Sequence, residues 1–129
     1  MASERTIIAT DRAPQAVGPY SQAVRVGGLV FTAGQIPIDP STGKVEETSI
    51  EAQTHQVLHN LSAVLEAAGS GLDKALKLTV FMTDLSRFQD MNAVYAGYFG
   101  SDPPARSAVE VAALPLGVAI EMEAVALVE

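Results

Sequence analysis

The sequence predicts an α+β fold, a mixed sheet with two helices on one of its faces. Three observations carry that reading. Two segments repeat their apolar residues at helical spacing, each behind a polar residue placed to cap a helix. Short runs rich in β-branched and aromatic residues precede, separate and follow them. The prolines and most of the glycines fall between these segments rather than inside them.

The elements follow in order. "RTIIAT" is a short β-rich opening, and "APQAVGPYSQ" a constrained loop behind it. "SQAVRVGGLVFTAGQ" reads as two strands joined at Gly27-Gly28, a pair suited to the positive φ of a tight hairpin. "PIDPSTGKVE" is polar and turn-rich. Thr48 and Glu51 have capping-box spacing ahead of a helix whose apolar face is Val57, Leu58, Leu61, Val64, Leu65 and Ala68, and Gly69-Ser70-Gly71 ends it. "ALKLTVFMT" reads as a strand. Ser86 and Gln89 form a second capping pair for a helix carrying Phe88, Met91, Tyr95, Tyr98 and Phe99 and stopping at Gly100. "ARSAVEVAAL", the turn "PLG" and "VAIEMEAVALV" give two last strands, expected to pair with each other. The order is β-β-β-α-β-α-β-β.

At 129 residues without repeat or linker, residues 1–129 are read as one domain. Hydrophobic residues make up 48% and charged residues 18%, more apolar than a small monomer needs, so a homo-oligomer is expected. The surface for it is expected on the sheet face away from the helices, through Val118, Ile120 and Met122. Net charge is −7, and the eight Lys and Arg form no basic stripe, which weighs against nucleic acid as a partner. There is no cysteine, hence no disulfide or thiolate chemistry. No secretory leader and no apolar run of membrane-crossing length is seen, so a soluble cytoplasmic protein without a membrane partner is expected.

Metal and cofactor motifs are missing. His55 and His59 stand four apart, but Gln56 occupies the position where a zinc-protease helix has glutamate, and the pair is read as a solvated helix edge. No dinucleotide loop, phosphate loop or nucleophile elbow is present. No cofactor and no metal are expected.

Three side chains invite chemistry. Arg106 leads a strand behind Pro103-Pro104-Ala105; its planar fork either meets solvent or a structural carboxylate, or grips a small anion. Glu121 and Glu123 share one face of an otherwise apolar strand; they mark the solvent side, or one is a general acid/base. Tyr20, behind Gly18-Pro19, either packs as a structural aromatic or presents its hydroxyl to a pocket.

"GPYSQAV" (18–24), "TAGQIP" (32–37), "MNAVYAGYF" (91–99) and "PPARSAVEVAALPLGVAIEMEAVA" (103–126) resemble the RidA/YjgF family of reactive-intermediate deaminases, from about Arg5 to Val128. The resemblance implies a fold like the trimeric type of chorismate mutase and a homotrimer with its sites between subunits. It implies hydrolysis of 2-imino acids and their enamines (2-iminobutanoate, 2-iminopropanoate/2-aminoacrylate) to 2-oxo acids and ammonia. Arg106, Glu121 and Tyr20 are then the catalytic set: Arg106 grips the carboxylate, Glu121 activates water and Tyr20 lines the pocket, with Arg106 and Glu121 supplied by neighbouring subunits. Ala33, Gly34, Asn92 and Ala108 stand at the other ligand-binding positions, Gly34 bringing its backbone close to the ligand. Many members have cysteine where this chain has Ala108, and Ser or Thr where it has Ala33, so a thiol and a hydroxyl contact are absent here. An endoribonuclease or translation inhibitor, and a non-catalytic binder of small carboxylates, are the competing readings.

Overall fold

The computed structural model describes residues 4–129. The strands are β1 (Arg5–Ile8), β2 (Ala23–Val26), β3 (Leu29–Thr32), β4 (Ala75–Met82), β5 (Ala105–Glu110) and β6 (Ile120–Leu127); the helices are α1 (Ile50–Ala67) and α2 (Phe88–Ala96). The predicted element order holds. One six-stranded sheet runs β1-β2-β3-β6-β4-β5. Only β4 and β5 are parallel, the pair whose connection passes through α2.

The β2–β3 turn is Gly27-Gly28 as predicted, with φ +56° at Gly27 and Val26 opposite Leu29. Helix α1 lays Val57, Leu58, Leu61, Val64 and Leu65 on Val30, Leu78, Val80, Ile120 and Met122, all at most 0% exposed. Each such side chain contributes about 1.5–3 kcal/mol on burial. At its end Ser70 N–H donates to the Leu65 carbonyl at 2.9 Å while Gly69 holds φ +85°, the glycine-assisted stop.

Five expectations are corrected. The last two strands do not pair: β6 lies between β3 and β4, and β5 is an edge strand on the far side of β4. Burial explains it, since Ile120, Met122, Ala124 and Ala126 are all buried, as a central strand requires, whereas β5 is largely exposed. Val118 is buried just ahead of β6, and Ile120 and Met122 therefore lie under the helices. The face away from them instead carries Phe31, Phe81, Val109, Val125 and Leu127 beside Glu121 and Glu123. The α1 cap is Ser49, not Thr48, its hydroxyl accepting from Ala52 N–H at 3.1 Å. Asp84 replaces the Ser86–Gln89 pair: its carboxylate accepts from Ser86 N–H at 3.0 Å and starts the 3₁₀ turn (Leu85–Arg87) that leads into α2. That helix stops at Ala96, earlier than read, so Tyr98 and Phe99 lie beyond it.

Among the described residues no helix is long and apolar enough to cross a membrane.

Candidate functional site

Two clefts hold the candidate residues, one on each side of the sheet. Parallel pairing sets Arg106 beside Leu78, on the helix side and under α2. Phe88, Asn92 and Tyr95 recur at helical spacing along α2 and form a single stripe above it. The guanidinium carbon lies 5.2 Å from the Phe88 ring centre and 4.7 Å from that of Tyr95. Its Nη1 donates to Asn92 Oδ1 at 2.7 Å. Two rings and an amide thus fix the plane of the fork, each ring contact worth roughly 0.5–2 kcal/mol. Among the described residues no carboxylate pairs with Arg106; the ion pairs belong to Arg12 and Arg87. Arg106 is left to face a cleft of about 380 Å³ whose other walls include Phe99, Pro103 and Pro104. Burial pushes the Tyr95 phenol up, with the Arg106 charge opposing.

The second cleft, of about 550 Å³, belongs to Glu121. Strand β3 pairs with β6 through Phe31 and Val125, but Gln35 then bridges Met122, so the β3 side has slipped by one residue. The Thr32 hydroxyl fills the break, accepting from Ala124 N–H at 3.0 Å. This bulge brings Gly34 against Glu121. A Cβ built on Gly34 would collide with the Glu121 carboxylate, whose carbon would lie 2.8 Å away. Gly34 thus leaves room here for the Glu121 carboxylate, and it also lines the cleft. Glu121 is half-buried, and its carboxyl is pushed up by burial first and by Glu123 second.

Buried amides hold the rest of this cleft. Gln22 donates to the Thr10 carbonyl at 3.0 Å and the Pro14 carbonyl at 2.7 Å, and its oxygen accepts from Thr10 N–H at 2.6 Å. That pins the loop carrying Tyr20, which lines the cleft at 52% exposure. Asn60 donates to the carbonyls of Ile36 at 3.1 Å and Ile38 at 2.8 Å, both lining residues. Gln53 accepts from Ala119 N–H at 2.8 Å, just ahead of Glu121.

The structure therefore gathers Tyr20, Ala33, Gly34 and Glu121 in one cleft, and Asn92 and Arg106 in the other. Within one chain the two sets do not meet. Ala108 lines neither cleft; it pairs with Val80 and packs against the core. His55 is not simply solvated: its Nδ1 and the Tyr98 hydroxyl share a hydrogen bond of 2.6 Å that ties α1 to the segment after α2. The sequence reading missed Phe88 and Tyr95 as holders of Arg106, having placed both in the apolar face. It also missed Gln22, Gln53 and Asn60. The signal for the last two was a polar residue at a helical position that the α1 period assigns to the buried face.

A family model described as Endoribonuclease L-PSP matches residues 10–128. A RutC family protein of Pyrococcus abyssi is 52% identical over 122 residues, covering 95% of this chain and 96% of its own. The chloroplastic Reactive Intermediate Deaminase A of Arabidopsis thaliana is 43% identical over 123 residues, covering 95% of this chain and 66% of its own. The crystal structure of Escherichia coli TdcF with bound serine superposes with a TM-score of 0.91 at 42% identity, covering 96% of this chain and 99% of that one.

Proposed function

The chain belongs to the YjgF/RidA family, and on that premise we propose that it hydrolyses 2-imino acids to 2-oxo acids and ammonia in clefts completed by a second copy of the chain. The observation that carries this reading is the division of chemistry between the two clefts. One holds a fixed guanidinium and no carboxylate; the other holds a carboxylate, a phenol and apolar walls, and no cation. A substrate with an anionic end and a hydrolysable C=N bond needs both. A cyclic assembly, a trimer in this reading, supplies them by setting the Arg106 side of one subunit against the Glu121 side of the next. The apolar residues on the sheet face away from the helices suit such an interface.

Arg106 holds the substrate carboxylate through charge-assisted hydrogen bonds worth about 1.5–3 kcal/mol, which orients a small acid. Water then adds to the imine carbon: a C–O bond forms, the C=N π pair moves to nitrogen, and the water proton passes to Glu121. The protonated Glu121 returns that proton to the nitrogen of the carbinolamine, the C–N bond breaks with its electron pair going to nitrogen, and the hydroxyl closes to a carbonyl as its proton passes through the freed Glu121 carboxylate to that nitrogen. Imine plus water gives oxo acid plus ammonia. A carboxyl pushed up toward neutrality is better matched to this two-way transfer than an ordinary one, and such help is worth about 10²–10⁴-fold. Serine, bound in the solved relative, matches a ligand of amino-acid size with a carboxylate.

The test couples a threonine dehydratase to semicarbazide trapping of the imine. Wild type is expected to suppress trapping and Arg106→Ala to leave it unchanged. Equal trapping with and without wild type would sink the reading. Net charge −7 without a basic stripe gives RNA cleavage no support, and purified protein is expected to leave RNA intact.

A further inference from the structure

Leu116 is the one non-glycine among the described residues with a left-handed backbone, φ 58° and ψ 16°. Its Cβ crowds the main chain there, a conformation that glycine and asparagine adopt far more readily. The position is also exposed, at 73%, although leucine gains nothing from water. A strained, solvent-facing apolar side chain is a reason to look for function. Leu116 lines the Glu121 cleft, as do Val17, exposed at 83%, and Ile36, Ile38 and Pro115. The loop carrying Ile36 and Ile38 is held by buried Asn60, so those side chains meet the cleft from a fixed backbone. The Gln22 amide on the same lining is already committed to the Thr10 and Pro14 backbone.

We propose that Leu116 is a specificity-determining residue, receiving the ligand's aliphatic side chain so that the cleft favours branched, apolar 2-imino and 2-oxo acids over the three-carbon acid. The proposal rests on the reading of the cleft as an imino-acid site, and it adds the substrate class. The turn from Leu114 to Gly117 aims the leucine outward: Gly117 N–H donates to the Leu114 carbonyl at 3.1 Å, and Gly117 itself takes φ +69°. With its backbone set by this turn, Leu116 offers methyl groups to a ligand at little conformational cost.

The test compares dissociation constants of 4-methyl-2-oxopentanoate and pyruvate, by titration calorimetry, for wild type, Leu116→Asn and Leu116→Gly. Both substitutions suit the backbone conformation, so Tm is expected to hold or rise and the oligomeric state to persist. Wild type is expected to prefer the branched acid, and both variants to lose about 10-fold of that preference. An unchanged ratio would overturn the proposal, as would dissociation of the assembly, which would make Leu116 an interface residue. If wild type binds neither acid, the carboxylate reading of the site falls together with this proposal. Selective binding without faster imine hydrolysis would keep the role of Leu116 and remove the deaminase.

Discussion

Arg106 and Glu121 point to opposite faces of one sheet: Arg106 stands beside Leu78 of β4, under α2, and Glu121 beside Phe81 of the same strand, away from the helices. Side chains alternate along a strand, so no rotamer brings these two together inside one chain. Any chemistry that needs both must use two copies.

The hold on Arg106 is specific enough to test. Arg106→Ala is expected to abolish binding of small 2-oxo acids with little change in Tm, because it removes a half-buried side chain at an edge strand. Arg106→Lys keeps the charge but loses the fork and the ring stacking, so binding is expected to weaken substantially. Asn92→Ala frees Nη1 and is expected to cost about 10-fold in affinity, the worth of one hydrogen bond to a charged group. Calorimetric titration with 2-oxobutanoate reads all three, and full affinity in Arg106→Ala would contradict the clamp.

Gly34→Ala is expected to act through Glu121. The new methyl meets the end of a flexible side chain rather than backbone, so the carboxylate moves and the fold stays. A shift of about 1 Å in a reacting group costs on the order of 10²-fold in rate. Steady-state kinetics with a parallel melting curve checks this; lost stability with undiminished kcat would contradict it.

Glu121 sets a pH dependence of definite sign. Its carboxyl is pushed up by burial and by Glu123, so the native chain holds this proton more tightly than the unfolded one. The stability linked to that proton is full below the unfolded pKa and is lost as pH rises through the folded value. Glu121→Gln is therefore expected to melt higher than wild type at neutral pH, with the advantage shrinking on acidification. The same substitution is expected to lower kcat by about 10²–10⁴-fold. The acid limb of kcat/KM, placed above the ordinary carboxylate range in wild type, is expected to vanish with it. Melting curves across pH and a pH–rate profile read the two effects separately.

Asn60→Ala takes the side-chain donor from the part-buried carbonyls of Ile36 and Ile38, leaving Ile36 only the Ile38 N–H. Roughly 1–3 kcal/mol of stability is expected to be lost, with KM rising as the cleft wall loosens. Urea unfolding measures the first; an unchanged midpoint would show that water replaces the amide.

Periodicity made the helices and most strands legible. Val57, Leu58, Leu61, Val64 and Leu65 announce α1, and Gly27-Gly28 announces the β2–β3 turn. What periodicity cannot carry is sheet order. The alternation in β6 says which residues share a face, but not that this strand runs between β3 and β4 or which face the helices cover. The error over Val118, Ile120 and Met122 came from that. At the site, residue types were legible in Arg106, Glu121 and Tyr20, and the family resemblance supplied Asn92 and Gly34. The stacking of Phe88 and Tyr95 on Arg106 was hidden, since rings at helical spacing look the same whether they face a core or a cation. The demand on Gly34 was hidden as well, because it arises from a bulge that no local pattern marks.

The most direct test of the shared site is complementation. Arg106→Ala and Glu121→Gln proteins, each inactive alone, are denatured together in equal amounts and refolded. Each cleft of a mixed assembly needs Arg106 from one copy and Glu121 from its neighbour, so random mixing is expected to restore about a quarter of wild-type imine hydrolysis. Activity no higher than that of the separately refolded variants, in assemblies shown to be mixed, would contradict a site built from two copies.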